Sequence, residues 1–161
     1  MTEASLAQSI DPDTLALDAA DPAVQDVMRD EIVFCLPSTP LDAVAKLMAD
    51  NALSEIVVML DRRPVGYLRE DDIVERLVAG EVVMTGSDFA MRPPVTELQA
   101  RDIIRTPPLL VDEHQRVSEA VAVMASHGRD LAVVMHDDET PVGMLTPVEV
   151  AAQLARTVRD A

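Results

Sequence analysis

The sequence predicts a mixed α/β protein built from two copies of one β-α-β-β-α unit. An internal repeat carries this reading. Shifted by 76 positions, Asp26, Arg29, Met48, Ala49, Val57, Val58, Met59 and Asp61 fall on Asp102, Arg105, Met124, Ala125, Val133, Val134, Met135 and Asp137. After one inserted residue the shift becomes 77, and Pro64, Val65, Gly66, Leu68 and Leu77 fall on Pro141, Val142, Gly143, Leu145 and Leu154. The second observation is that helix-period and strand-period signals alternate in the same order within each copy.

Each element has its own signal. Ile32-Val33-Phe34-Cys35-Leu36 and Leu109-Leu110-Val111 suit a short first strand. Leu41, Val44, Ala45 and Met48, and their counterparts Val117, Ala120, Val121 and Met124, are spaced i, i+3, i+4, i+7, one apolar helix face in each copy. The runs Ile56-Val57-Val58-Met59-Leu60 and Leu131-Ala132-Val133-Val134-Met135 are β-branched and too short for a helix, and read as buried strands. Polar turns, Asp61-Arg62-Arg63 and His136-Asp137-Asp138-Glu139-Thr140, separate these runs from Pro64-Val65-Gly66-Tyr67-Leu68 and Pro141-Val142-Gly143-Met144-Leu145. That is a hairpin, with proline at the strand edge where its missing donor costs least. A second helix follows, marked by Ile73, Val74, Leu77 and Val78 in one copy and by Val150, Ala151 and Leu154 in the other.

In this order and spacing the chain resembles the tandem CBS (cystathionine β-synthase) domain from Val24 to Leu154. Val24-Gln25-Asp26-Val27-Met28-Arg29, echoed by Ala100-Arg101-Asp102-Ile103-Ile104-Arg105, looks like the family's "DVM" opening. Val57-Val58 and Val133-Val134 look like its "PVVD" strand, with Ile56 and Ala132 in place of the proline. The family's strand-to-helix turn, G-h-x-[ST]-x-x-D, has its counterparts in Gly66-Tyr67-Leu68-Arg69-Glu70-Asp71-Asp72 and Gly143-Met144-Leu145-Thr146-Pro147-Val148-Glu149. The resemblance implies two repeats packed through their sheets with pseudo-twofold symmetry, in a regulatory module, usually a homodimer formed through its helices, that binds an adenosine-containing ligand.

Composition limits the partners. A 161-residue chain, 48% hydrophobic, divides into halves near the size at which a lone domain is marginal, so the halves should pack on each other. A net charge of −16 disfavours nucleic acid and anionic membrane, because displacing counterions from DNA needs a basic surface. The single cysteine, Cys35, allows no internal disulfide framework and fits a buried structural thiol. With no membrane-length apolar stretch and no signal pattern, a cytoplasmic location is expected. Residues 1–22 read as an acidic, partly disordered tail, 23–80 as the first repeat, 81–97 as a linker and 98–161 as the second repeat.

Chemistry is expected at the two strand-to-helix turns. A helix N-terminus presents unpaired amides and a positive dipole end that suit a phosphate, and a neighbouring carboxylate can accept hydrogen bonds from ribose hydroxyls. The resemblance assigns the phosphate side to the Ser/Thr position and the ribose to the Asp position, hence to Arg69 and Asp72 in the first repeat and to Thr146 and Glu149 in the second. Arg69 replaces a hydroxyl with a cation that can pair bidentately with a phosphate. Glu70-Asp71-Asp72 also reads as a run of acids favoured by the dipole, and Thr146-Pro147-Val148-Glu149 as a complete capping box, neither of which requires a ligand. Tyr67 is the one ring placed to help hold an adenine, and Arg129 is a further phosphate or partner contact. His114, His127 and His136 share neither a helical face nor a close ligand spacing, so no metal site and no required cofactor is expected. No nucleophile elbow, P-loop or dinucleotide fingerprint is present, which points away from an enzyme. Two readings remain: a sensor of AMP, ADP, ATP, S-adenosylmethionine or NAD that signals to an unknown regulated protein, and a dimerisation or interaction module whose ligand sites have decayed.

Overall fold

A two-residue left-handed turn, Asp61 and Arg62 at φ 51° and 67°, closes the first hairpin, and its counterpart at Asp137 and Asp138, φ 50° and 60°, is one residue longer. In the first hairpin Leu60 pairs with Arg63; in the second His136 pairs with Thr140. The inserted residue that changes the repeat shift therefore lies in this turn. The computed structural model describes residues 21–83 and 98–160. Of the expected tail 1–22 and linker 81–97, residues 1–20 and 84–97 lie outside the described residues.

The first sheet comprises β1 (Phe34–Cys35), β2 (Glu55–Leu60) and β3 (Arg63–Arg69), with β1 parallel and β3 antiparallel to the central β2. Helix α1 (Leu41–Asp50) links β1 to β2, and α2 (Glu70–Val83) follows β3. The second copy repeats this with β4 (Leu110–Asp112), α3 (Val117–Ser126), β5 (Ala132–His136), β6 (Thr140–Leu145) and α4 (Pro147–Asp160). Even an irregularity of register recurs, between Val58 and Met59 and between Val134 and Met135. Each predicted strand and helix is present. The first strand is shorter than its apolar run, since of Ile32 to Leu36 only Phe34 and Cys35 pair with β2, and β4 is displaced by one residue from the run Leu109 to Val111.

The central strands are apolar on both faces because both faces are covered. In β5, Ala132 and Val134 join Val117, Ala120 and Met124 beneath α3, whereas Val133 and Met135 join the core that holds Ile56, Val57, Val58 and Leu68 of the first sheet. The two sheets thus share a core. Burial is tighter on the first helices than on the second: Leu41, Val44 and Met48 of α1 are buried, but Val74 of α2 is exposed, as is its counterpart Ala151 of α4. No described helix is long and apolar enough to cross a membrane.

The repeats exchange their opening segments. Residues 24–29 begin the first repeat in sequence but pack on the second, where Val24 and Val27 share a core with Val111, Val117 and Leu145. Residues 98–105 begin the second repeat but pack on the first, with Ala100 buried among Leu41, Met48 and Leu68. Backbone hydrogen bonds fix both crossings: Val24 N–H donates to Gln115 O at 2.8 Å, and Leu41 N–H donates to Leu98 O at 2.9 Å.

Candidate functional site

The opening segments end beside the strand-to-helix turns. Tyr67 and Arg105 exchange two backbone hydrogen bonds, each 2.9 Å, and Arg29 and Met144 exchange two of 2.8 and 3.0 Å at the matching place. This proximity explains the motif glycines. A Cβ on Gly66 would lie 2.6 Å from Arg105 O, and one on Gly143 would lie 2.6 Å from Arg29 O. The glycine of each turn gives room to the other repeat's backbone.

Each crossing delivers an arginine to the carboxylate expected to hold a ribose. Arg105 is bidentate on Asp72, its Nε 2.6 Å from Oδ2 and its Nη2 2.9 Å from Oδ1. Arg29 meets Glu149, with Nε and Nη2 both 2.8 Å from Oε1. These are symmetry-related pairs, since Arg29 and Arg105 occupy one repeat position and Asp72 and Glu149 another. Hydrogen bonding from Arg105 holds the Asp72 carboxyl below its usual range, against partial desolvation, with the charges of Arg105 and Arg69 adding to the effect. At Glu149 burial opposes ionisation, but hydrogen bonds from Thr146 and Arg29 outweigh it and lower the pKa.

The two turns differ in detail. Thr146 is buried, its N–H donates to Glu149 Oε2 at 2.8 Å, and its hydroxyl donates to the same oxygen. The Glu half of the expected capping box is therefore formed. In the first repeat Glu70 N–H donates to Ser54 O at 2.9 Å, a bond that Pro147 at the matching position has no hydrogen to make. Three carboxylates, Glu70, Asp71 and Asp72, occupy the first turn of α2. Arg69 is half-buried, contributes positive charge at Asp72, and takes part in no ion pair among the described residues.

Arg129 is drawn inside. Its side chain is 7% exposed and its Nε lies 2.7 Å from Oε1 of Glu55, which is fully buried. The guanidinium also stacks over the Tyr67 ring, 3.2 Å from the centroid, so Tyr67 and Arg129 meet at the boundary between repeats and cover one another. Asp130 N–H bonds the second oxygen of Glu55, and Ser54 Oγ donates to Asp130 Oδ2 at 3.1 Å. Ser54 and Asp130 are repeat counterparts, so their contact marks the pseudo-twofold axis. Sequence reasoning missed Glu55, whose signal was a lone acid heading an otherwise apolar strand run. It also missed Arg29 and Arg105, although their recurrence 76 positions apart was visible.

Six expected residues thus fall into three places. Asp72, with Arg69 beside it, stands at the first turn; Thr146 and Glu149 stand at the second; Tyr67 and Arg129 lie between. Away from all of them, the β4–α3 turn and the end of β5 bring Glu113, His114 and His136 together, although the two histidines have no close ligand spacing in the sequence. Parallel pairing of β4 with β5 closes that sequence distance.

Comparison with known proteins agrees with this architecture. The chain is 25% identical over 142 residues to the uncharacterized protein MK0525 of Methanopyrus kandleri, covering 86% of this chain and 67% of that protein. Its fold matches that of MJ1225 from Methanocaldococcus jannaschii, a putative archaeal homolog of g-AMPK, with a TM-score of 0.69 at 18% identity, over 86% of this chain and 50% of that one. It also matches a CBS-domain hemolysin-like protein of Oenococcus oeni, with a TM-score of 0.65 at 19% identity, over 86% and 94% of the two chains. The CBS domain family itself matches twice, at residues 24–79 and 100–156, so this chain belongs to the CBS domain family and carries two copies of the domain.

Proposed function

We propose that this CBS pair is a regulatory module that binds an adenosine-containing molecule at its strand-to-helix turns and passes that state to a partner protein, without catalysing a reaction. The observation that supports this most is the crossed pairing of each turn carboxylate with an arginine from the other repeat. A nucleotide placed there would exchange partners rather than strip them: ribose hydroxyls replace the guanidinium on the carboxylate, and the released arginine meets the phosphate. No buried charge is left alone in that exchange. It would also shift an opening segment of one repeat against a helix of the other, which is how occupancy would reach a partner.

The first turn is the favoured site. The Asp72 and Arg105 side chains are 20% and 51% exposed, against 12% and 27% for Glu149 and Arg29, and Arg69 adds a cation. Both carboxylates have both oxygens occupied, but at the second turn one oxygen of Glu149 is held by Thr146 of the same turn, which release of Arg29 leaves in place, whereas Asp72 is held by Arg105 alone. A second copy of the chain is the favoured occupant of the outer helical face, where α1 and α2 leave a groove of about 330 Å³ lined by Ala45, Met48, Ala49, Val74 and Leu77. The net charge of −16 disfavours nucleic acid and anionic membranes as partners.

A second reading, an interaction module with decayed ligand sites, is favoured by the same ion pairs if their only role is to tie the repeats together. A thermal-shift panel of AMP, ADP, ATP, S-adenosylmethionine and NAD separates the two. A ligand at 100 times its Kd adds about 2.7 kcal/mol, and each kcal/mol moves the Tm of a chain this size by about 2 to 4 °C. We expect several degrees from one of these ligands, abolished in Asp72→Ala and retained in Glu149→Ala. No shift from any of them, in folded wild-type protein, would establish the interaction module instead.

A further inference from the structure

We propose that Glu113, His114 and His136 form a binding site for a divalent transition-metal ion of the zinc class, separate from the strand-to-helix turns. One carboxylate oxygen and one imidazole nitrogen from each histidine lie within 4.8 Å of one another. His114 Nε2 stands 3.4 Å from Glu113 Oε1, and His136 Nδ1 contacts that same oxygen. Ligands of a tetrahedral zinc ion, each about 2.0 to 2.2 Å from the metal, stand about 3.3 Å apart. Small side-chain rotations in two surface histidines bring this set to that spacing. Two imidazoles and a carboxylate suit zinc and its neighbours rather than magnesium or calcium, which prefer all-oxygen shells.

The position is anchored where a metal site needs it. Glu113 N–H donates to Met135 O at 3.0 Å, fixing the β4–α3 turn against the strand that carries His136. His114 N–H donates to Asp112 Oδ1 at 2.8 Å, holding the turn's shape. The Glu113 side chain is 12% exposed, while the two imidazoles reach solvent, so an ion has an approach and a partly desolvated anion to meet. The far nitrogen of His136, Nε2, lies 3.2 Å from Asp137 Oδ2, the arrangement in which a carboxylate orients a ligating histidine. Three protein ligands leave a fourth position for water.

The repeat itself supplies a control. Positions 113, 114 and 136 correspond to Pro37, Ser38 and Leu60 in the first copy. The unit folds there without any of these ligands, so the fold does not require the cluster. A bound ion would tie the β5–β6 hairpin to the turn on which the opening segment of the first repeat rests, where Gln25 N–H donates to Glu113 O at 3.0 Å.

The test is a Zn²⁺ titration of the full chain in competition with a chromophoric chelator, on wild type, His114→Ala, His136→Ala and His127→Ala. His127 lies outside the cluster. We expect one equivalent bound by wild type and by His127→Ala, and affinity lower by at least about tenfold in the other two. Co²⁺ added in place of zinc should give the visible bands of a four-coordinate ion in wild type and not in His136→Ala. The exposed imidazoles make the variants safe to fold, which a melting curve in chelator confirms. No binding by wild type, or binding undiminished in both cluster variants, overturns the proposal.

Discussion

Glu55 shows what a single residue does in this fold. It is 1% exposed, in a strand whose other buried positions are apolar, and its charge is met by Arg129 and by the Asp130 backbone. Each member occurs in one copy only: the counterpart of Arg129 is Leu53, and that of Glu55 is Leu131, both buried leucines. Removing one ion of a buried pair strands the other, at a cost of about 3 to 5 kcal/mol. Arg129→Leu and Glu55→Leu are each expected to lose that much in urea unfolding. The double variant, which gives these positions the residues of their counterparts, is expected to be more stable than either single one. If the double variant lost the sum of the two single losses, the pair would not be coupled. The ion pair was illegible in the sequence because its members come from different repeats and neither carries a motif.

At the scale of elements the sequence was read well wherever periodicity decides. The strand runs, the α1 and α3 faces and the hairpins follow from residue spacing, and even the one-residue insertion marks a real turn. What spacing does not encode is which element lies across from which. Gly66 and Gly143 were legible as turn glycines, yet what fixes them is the opening segment of the other repeat passing within 2.6 Å of an added Cβ. Gly66→Ala therefore meets a carbonyl oxygen as well as the Ile104 side chain, and is expected to cost about 1 to 3 kcal/mol by overpacking. Adding Ile104→Ala should not restore the Tm, because Arg105 O remains in place. Full restoration would show that the side chain alone sets the limit. The same crossing explains why Asp72 and Glu149 were found by motif while Arg105 and Arg29 were not: the carboxylates sit on the turn, and the arginines arrive from the other repeat.

The exchange of opening segments makes the molecule one folding unit, although its sequence divides cleanly in two. The core around Leu41, Val44 and Leu68 lacks Ala100 and its neighbours Leu98, Ile103 and Ile104 if cut before residue 98. The core around Val111 and Val117 lacks Val24 and Val27 if residues 24–29 are removed. Halves of this length are already marginal, and each would also expose the sheet face it shares with the other: Val133, Met135 and Met144 on one side, Val57 and Met59 on the other. Residues 1–83 and 84–161, made as separate chains, are therefore each expected to lack a cooperative thermal transition. Mixed, they should regain one, because each supplies the segment, the sheet face and the arginine that the other lacks. Amide exchange offers the sharper readout, since protection of the Tyr67 and Met144 amides, which bond to Arg105 O and Arg29 O, can return only through the partner fragment. A fragment that melted cooperatively alone would show that one core closes without its exchanged segment, and the coupling of the two turns through those segments would fall with it.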